Sequence, residues 1–332
     1  MLLRFFRLTS APVIIFIPFL GFLLWLPSLL HSQSSVFFFD KTQMPLYKFV
    51  TDIIAPQSFT STLLAFSMVI VQGFLLVRLN TRFFFINNRS YLPALFFILI
   101  TASIPDLQRL NPVIFSGFFL LLALEKIFTS YQAKKLAYDY FVAAFYISIG
   151  SLFYPFLAFF MAFIWISLAF LKPFNWREWL FTIIGFLVPV FFVFCFYYIV
   201  YNQPLRIIYD VQAIFQYNYK TPQYPFPIIF FLGTIFFLIL LASQFMIRTF
   251  QGKKILPRKA FTLFFWLFVN ALLVYLLVSK ASIEIIFLAT IPVSYLLAHY
   301  FALLKSIFWG NILLIIVLTL LIIIQTGLGH IS

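Results

Sequence analysis

Long apolar runs recur along the whole chain, and the basic residues between them are distributed unevenly. Eleven runs stand out, at about 11–30, 59–79, 91–104, 112–128, 138–152, 155–171, 178–200, 226–247, 260–278, 283–303 and 308–326. Alternate gaps between them hold Arg4, Arg7, Arg78, Arg82, Arg89, Lys126, Lys134, Lys135, Lys172, Arg177, Arg248, Lys253, Lys254, Arg258, Lys259 and Lys305. The remaining gaps hold only Lys41, Lys48, Arg109, Arg206, Lys220 and Lys280. Apolar runs of about 17–25 residues are the signature of membrane-spanning helices, and an excess of Lys and Arg marks the cytoplasmic connections. The pattern predicts an all-α, polytopic membrane bundle of about eleven transmembrane helices with a cytoplasmic N-terminus. A bacterial cytoplasmic (inner) membrane is the expected location, with the 11–30 run as a retained signal-anchor helix.

Composition excludes the soluble alternative. Only 9% of the 332 residues are charged and 64% are hydrophobic, whereas a water-exposed surface needs about 25% charged residues. A net charge of +14 would suggest nucleic acid in a soluble protein. Here short basic gaps between spans are accounted for by orientation and by anionic lipid, so membrane lipids are the expected partners and nucleic acid is not. Cys195 is the only cysteine, and His31, His299 and His330 are far apart in sequence, so neither a disulfide framework nor a metal centre is expected. No cofactor is expected either, since phosphate loops, dinucleotide fingerprints and nucleophile elbows are absent.

The chain reads as a single integral membrane domain, 1–332, with three distinctive parts. Two outer connections, 31–58 and 201–225, are too long to be turns. In the first, Leu46, Phe49, Val50, Ile53 and Ile54 recur at helical spacing, with Lys48 and Asp52 opposite. In the second, Ile207, Ile208, Val211, Ile214 and Phe215 form a stripe that leaves Arg206 and Asp210 aside. Both spacings predict short amphipathic helices in the interfacial plane. The third part is a cluster of short spans, 91–171. A 14-residue pass reaches only ~21 Å against a hydrocarbon core of about 30 Å, so a depression is expected on the outer face. No internal repeat is evident.

Chemistry is expected at that outer face. No span carries a charge near its middle, which argues against proton coupling. Asp40, Asp106, Asp210 and Glu284 are among the outer acids. A carboxylate beside cations suits a general base facing a lipid-linked phosphate donor, because the base activates an acceptor hydroxyl while the cations hold the leaving phosphate. The candidates are Asp40 and Asp106 as base, with Arg109, Lys280 and Arg206 as phosphate ligands. The plainer alternative is that these are solvated charges at helix ends.

The order of elements resembles that of the C-type (GT-C superfamily) membrane glycosyltransferases. The resemblance rests on the 31–58 loop after the first span and on the short spans from 91 to 171. It rests also on Gly150, Ser151, Leu152, Phe153, Tyr154 and Pro155, where that family often has a Gly-Leu-Ala-like turn. The late stretch 283–292, from Ile283 and Glu284 to Pro292, is similar to the family's late proline-containing helix. One departure is that Lys41 follows Asp40 where the family commonly has an acidic pair. The pattern is also similar to uncharacterised multi-pass membrane proteins of Bacteroidota. The resemblance implies a GT-C-like fold and a polyprenyl-phosphate-linked sugar as donor, in envelope glycan or lipid metabolism. Two other readings stay open: a non-catalytic scaffold or accessory subunit with a membrane-protein partner, and a lipid or small-solute transporter.

Overall fold

The computed structural model describes residues 2–7, 10–30, 39, 43–56, 58–86, 90–132, 137–202, 206–216, 224–250, 252, 255–278 and 283–326. The described residues are helical with no strand. In chain order the helices are α1 (Leu2–Arg7), α2 (Ala11–Leu30), α3 (Pro45–Ile53), α4 (Phe59–Phe83), α5 (Leu92–Thr101), α6 (Pro112–Gln132) and α7 (Ala137–Ser151). They continue with α8 (Met161–Leu171), α9 (Trp176–Tyr201), α10 (Arg206–Gln216), α11 (Phe226–Thr249), α12 (Ile255–Leu277), α13 (Ile286–Leu303) and α14 (Ile307–Gln325).

Eight of the expected spans are long and apolar enough to cross a membrane: α2, α4, α6, α9, α11, α12, the stretch Ile283–Leu303 containing α13, and α14. The other three runs form shorter helices. With 10 residues in α5, 15 in α7 and 11 in α8, they reach about 15, 22 and 16 Å at 1.5 Å per residue. The chain is therefore a multi-pass membrane protein, with eight helices long enough to span among the described residues, and the short helices fall in the 91–171 stretch where short spans were expected.

Contacts between sequence-distant residues gather the helix ends into two groups. At one end, the Arg7 guanidinium donates to the Phe301 and Leu304 carbonyls (2.6–2.9 Å) and Leu3 N donates to Asn311 Oδ1 (2.9 Å). Arg78 and Arg82 pair there with Glu125 (3.4 and 2.5 Å), and Lys259 lies over the Tyr131 ring. Lys172 is there too, over Tyr140; burial pulls its ammonium pKa down, against Glu178 and Asp139, which raise it. At the other end, Ser28 Oγ donates to Gln108 Oε1 (2.6 Å), Gln325 Nε2 to the Ala102 carbonyl (2.7 Å) and Tyr47 Oη to the Leu110 carbonyl (3.1 Å). The first end carries the basic excess of the sequence and is called the basic end below.

Proline determines why the short helices stop. Pro105 and Pro155 cannot donate a backbone hydrogen bond and force the preceding residue out of helical conformation. Ile104 (φ −120°, ψ 93°) and Tyr154 (φ −130°, ψ 104°) are accordingly extended. Each is followed by 3₁₀ turns, Pro105–Leu107 and Pro155–Phe160. In both, the amide two residues after the proline donates back to the extended residue's carbonyl at 3.0 Å (Leu107 to Ile104, Leu157 to Tyr154). The segments Thr101-x-x-Ile104-Pro105-x-Leu107 and Ser151-x-x-Tyr154-Pro155-x-Leu157 are thus one local structure used twice. This repeat was not expected from the sequence. Its signal, a Thr or Ser followed by proline at the fourth position and leucine at the sixth, is too short to stand out among so many apolar residues.

Irregular backbone at the end of a membrane bundle must find its hydrogen bonds inside the protein. It does so here. The Ala102 carbonyl receives Gln108 Nε2 (3.0 Å) as well as Gln325, and the Leu152 carbonyl receives Leu46 N (3.3 Å). Through Leu46 and Tyr47, α3 touches both proline turns, so the recess expected above the short helices has α3 laid across it. Phe49 and Ile53 of α3 remain exposed, as an interfacial helix requires. In α10, Ile207 and Ile214 are buried while Ile208 and Phe215 face out.

Small residues set the tightest approaches. A side chain at Gly185 in α9 would start 2.3 Å from the Phe141 carbonyl oxygen in α7, and Ser148 Oγ donates to the Phe186 carbonyl across the same interface (2.6 Å). Helices in lipid gain little from apolar burial and associate by such close packing and hydrogen bonding.

Candidate functional site

The turn after Pro105 carries two of the expected site residues. Asp106 is half-buried within the 3₁₀ turn. Arg109, two residues past the turn, is only 4% exposed. Its guanidinium carbon lies 5.7 Å from the centroid of the Phe39 ring, close enough for cation–π attraction. Phe39 itself meets Tyr47 edge-on at 6.2 Å. The residue before Asp40 in the chain therefore packs against Arg109, and the connection between α2 and α3 meets the Pro105 turn. Asp40 and Lys280 lie outside the described residues.

Asn111 fixes the same loop. Its Nδ2 donates to the Leu107 and Arg109 carbonyls (2.9 and 3.2 Å), and its Oδ1 accepts from Ile114 N at the start of α6 (3.0 Å). The loop therefore enters the helix with its backbone groups paired, and Arg109 sits on a rigid support.

Arg206 occupies a different part of this end. It begins α10, half-buried, and lies over the rings of Tyr201 (5.0 Å) and Tyr197 (5.6 Å). Tyr197 Oη donates to Asp210 Oδ2 at 3.2 Å. Arg206 thus forms an aromatic and acidic group with Tyr197, Tyr201 and Asp210, separate in its contacts from Arg109.

The structure adds a residue absent from the expected set. Glu284, in the 3₁₀ turn Ile283–Ile285, has no exposed surface, and Tyr154 Oη donates to its Oε1 at 3.2 Å. Tyr154 is the extended residue of the second proline turn. This hydrogen bond ties the Pro155 turn to the start of α13. A carboxyl with no exposed surface is costly to bury unless it is hydrogen-bonded or paired. Glu284 was visible in sequence as an acid beginning a late span, but nothing there separated it from an exposed helix-end charge.

Beside the second proline turn is an apolar cavity of about 390 Å³, lined by Met44, Pro155, Phe159, Val190, Ile207 and Val211 among others. It lies between that turn, α9 and α10. A hydrocarbon chain suits it better than water, because apolar cavities stay dry.

A family model matches residues 26–330, and the chain belongs to that family, the family of unknown function DUF6427. No curated protein and no solved structure matches it.

Proposed function

We propose, taking membership of a family without an assigned activity as the premise, that the protein is a GT-C-like glycosyltransferase. It would use a polyprenyl-phosphate-linked sugar at the end opposite the basic one, the outer face of a bacterial inner membrane. The supporting observation is Arg109, a buried cation on a rigid turn, packed against Phe39 and three residues from Asp106. The apolar cavity beside the second proline turn offers room for the donor's hydrocarbon tail.

In this reading Arg109 holds the donor phosphate, with Lys280 as a further cation, Arg206 stands apart with Tyr197 and Tyr201, and Asp106 or Asp40 accepts the proton of an acceptor hydroxyl. The bond between the sugar's anomeric carbon and the phosphate oxygen breaks as the acceptor oxygen bonds to that carbon. The polyprenyl phosphate leaves with its negative charge against the cations. Loss of a general base costs about 10²–10⁴-fold in rate. Transfer from a polyprenyl-phosphate sugar in proteoliposomes is therefore expected to fall by at least about 100-fold in either Asp106→Asn or Asp40→Asn, and in Arg109→Gln. Unchanged transfer in all three well-expressed variants would defeat the enzymatic reading.

A second reading has its own observation. In α9, Phe191, Phe192, Phe196 and Ile199 are exposed along one long helix, as a helix that binds a neighbouring membrane protein would be. An accessory subunit would co-purify with its partner and tolerate every outer carboxylate substitution.

A further inference from the structure

A second cavity, of about 490 Å³, lies between α11, α12 and α13, toward the basic end and away from the Arg109 turn. Its lining runs from Phe236 to Ile247 on α11 with Phe250 just past its end, Phe261 to Phe268 on α12, and Pro292 to Leu296 on α13. Ser243 and Thr262 supply its polar atoms, and Thr262 Oγ1 is already bonded to the Arg258 carbonyl (3.0 Å). Phe236, Leu240, Ile247 and Phe265 are also exposed on the bundle surface, so the cavity opens sideways, toward lipid. Its volume falls within the ~300–1,000 Å³ range of small-molecule sites. Water gains nothing in such a space, and hydrocarbon is the material at hand.

The charge beside it narrows the occupant. Arg248 is in the last turn of α11, and Arg258 and Lys259 are in the first turns of α12, with Lys253 and Lys254 between them in sequence. The chain contains no Asp or Glu between Asp210 and Glu284. Glu125, an acid at the same end, is engaged by Arg78 and Arg82. Orientation alone would ask for basic residues here, but not for an apolar cavity between the two helices whose ends carry Arg248 and Arg258.

We propose that this cavity, with the ends of α11 and α12 that flank it, forms a site for one anionic phospholipid of the leaflet at the basic end. One acyl chain lies between α11, α12 and α13, and the phosphate is held by Arg248, which follows the lining residue Ile247, and Arg258, whose carbonyl is bonded to the lining residue Thr262. The site is independent of the transferase reading, since it shares no residue with it.

The test uses purified full-length protein equilibrated with phosphatidylglycerol or phosphatidylcholine of matched chains, with retained lipid counted by native mass spectrometry. Wild type should keep phosphatidylglycerol at least about tenfold better. The variant with Arg248→Gln and Arg258→Gln should lose that preference, while Ser243→Phe and the milder Ser243→Leu should weaken retention by filling the chain's space. Wild-type protein with a phosphatidylglycerol bearing a photoreactive acyl chain covers the case in which the variants fail to fold; adducts are expected on α11, α12 and α13. Equal retention of the two lipids, adducts confined to the exposed face of α9, or a dimer that forms only without bound lipid would each overturn the proposal.

Discussion

The stretch Ile283–Leu303 and the helix α9 are both long apolar spans, yet they live in different surroundings. In the first, 72% of the most apolar window is buried within the bundle; in α9 the figure is 17%. The more hydropathic of the two is the exposed one. Hydropathy in a membrane protein therefore ranks helices by their comfort in lipid, and the helices in the interior can carry the polar residues. The interior span holds Glu284, Thr290, Ser294 and His299, all buried, while α9 turns Phe and Ile outward. The short helix α5 carries the lesson further. All ten of its residues are buried, because α4 and α13 pack on it and it never has to match the bilayer's thickness.

This contrast is open to direct attack, and the largest effect should come from the one face of α9 that is packed against protein. Gly185→Leu would drive a side chain into the Phe141 carbonyl. It should cost about 3 kcal/mol or more, read as loss of a monodisperse species in detergent. Gly117→Leu should come next at about 2–3 kcal/mol, since Phe287 and Gln72 side chains stand within 3 Å of the new Cβ but can shift. Arg7→Ala removes three hydrogen bonds to the carbonyls at the end of α13. A loss of about 1–3 kcal/mol should appear as a lower unfolding temperature. Tyr154→Phe takes a donor from Glu284 and should cost about 1 kcal/mol. At the lipid-facing extreme, Phe192→Ala should change thermal stability by less than about 0.5 kcal/mol. A large loss there, or loss of a co-purifying protein, would show that α9 is an interface and not a lipid-facing wall.

Much of the architecture could be read in advance for a physical reason. A span needs length and apolarity, and these are properties of consecutive residues. Thus the runs at 59–79 and 226–247 became α4 and α11 with ends shifted by only a few residues, and the stripe through Leu46 and Val50 became α3. Which face meets protein instead of lipid is not a property of consecutive residues when both faces are apolar. That is why the complete burial of α5 was not foreseen. The site was harder still. Asp106 and Arg109 lie on one loop, as their spacing required. The coupling of Glu284 to Tyr154 joins positions 130 residues apart, and no pattern in one chain announces such a pair. The proline turns fall between these cases, because their common spacing was present in the sequence and acquired meaning only when both adopted the same backbone.

The grip of Arg7 on the far end of α13 also orders events during synthesis. An early guanidinium, placed beside lipid, has its intended acceptors only after Phe301 and Leu304 have been made, and Leu3 waits still longer for Asn311. The first helices must therefore be inserted and held while their own closure is pending. A chain interrupted before residue 301 would be left with a bare cation where the finished protein has a clasp.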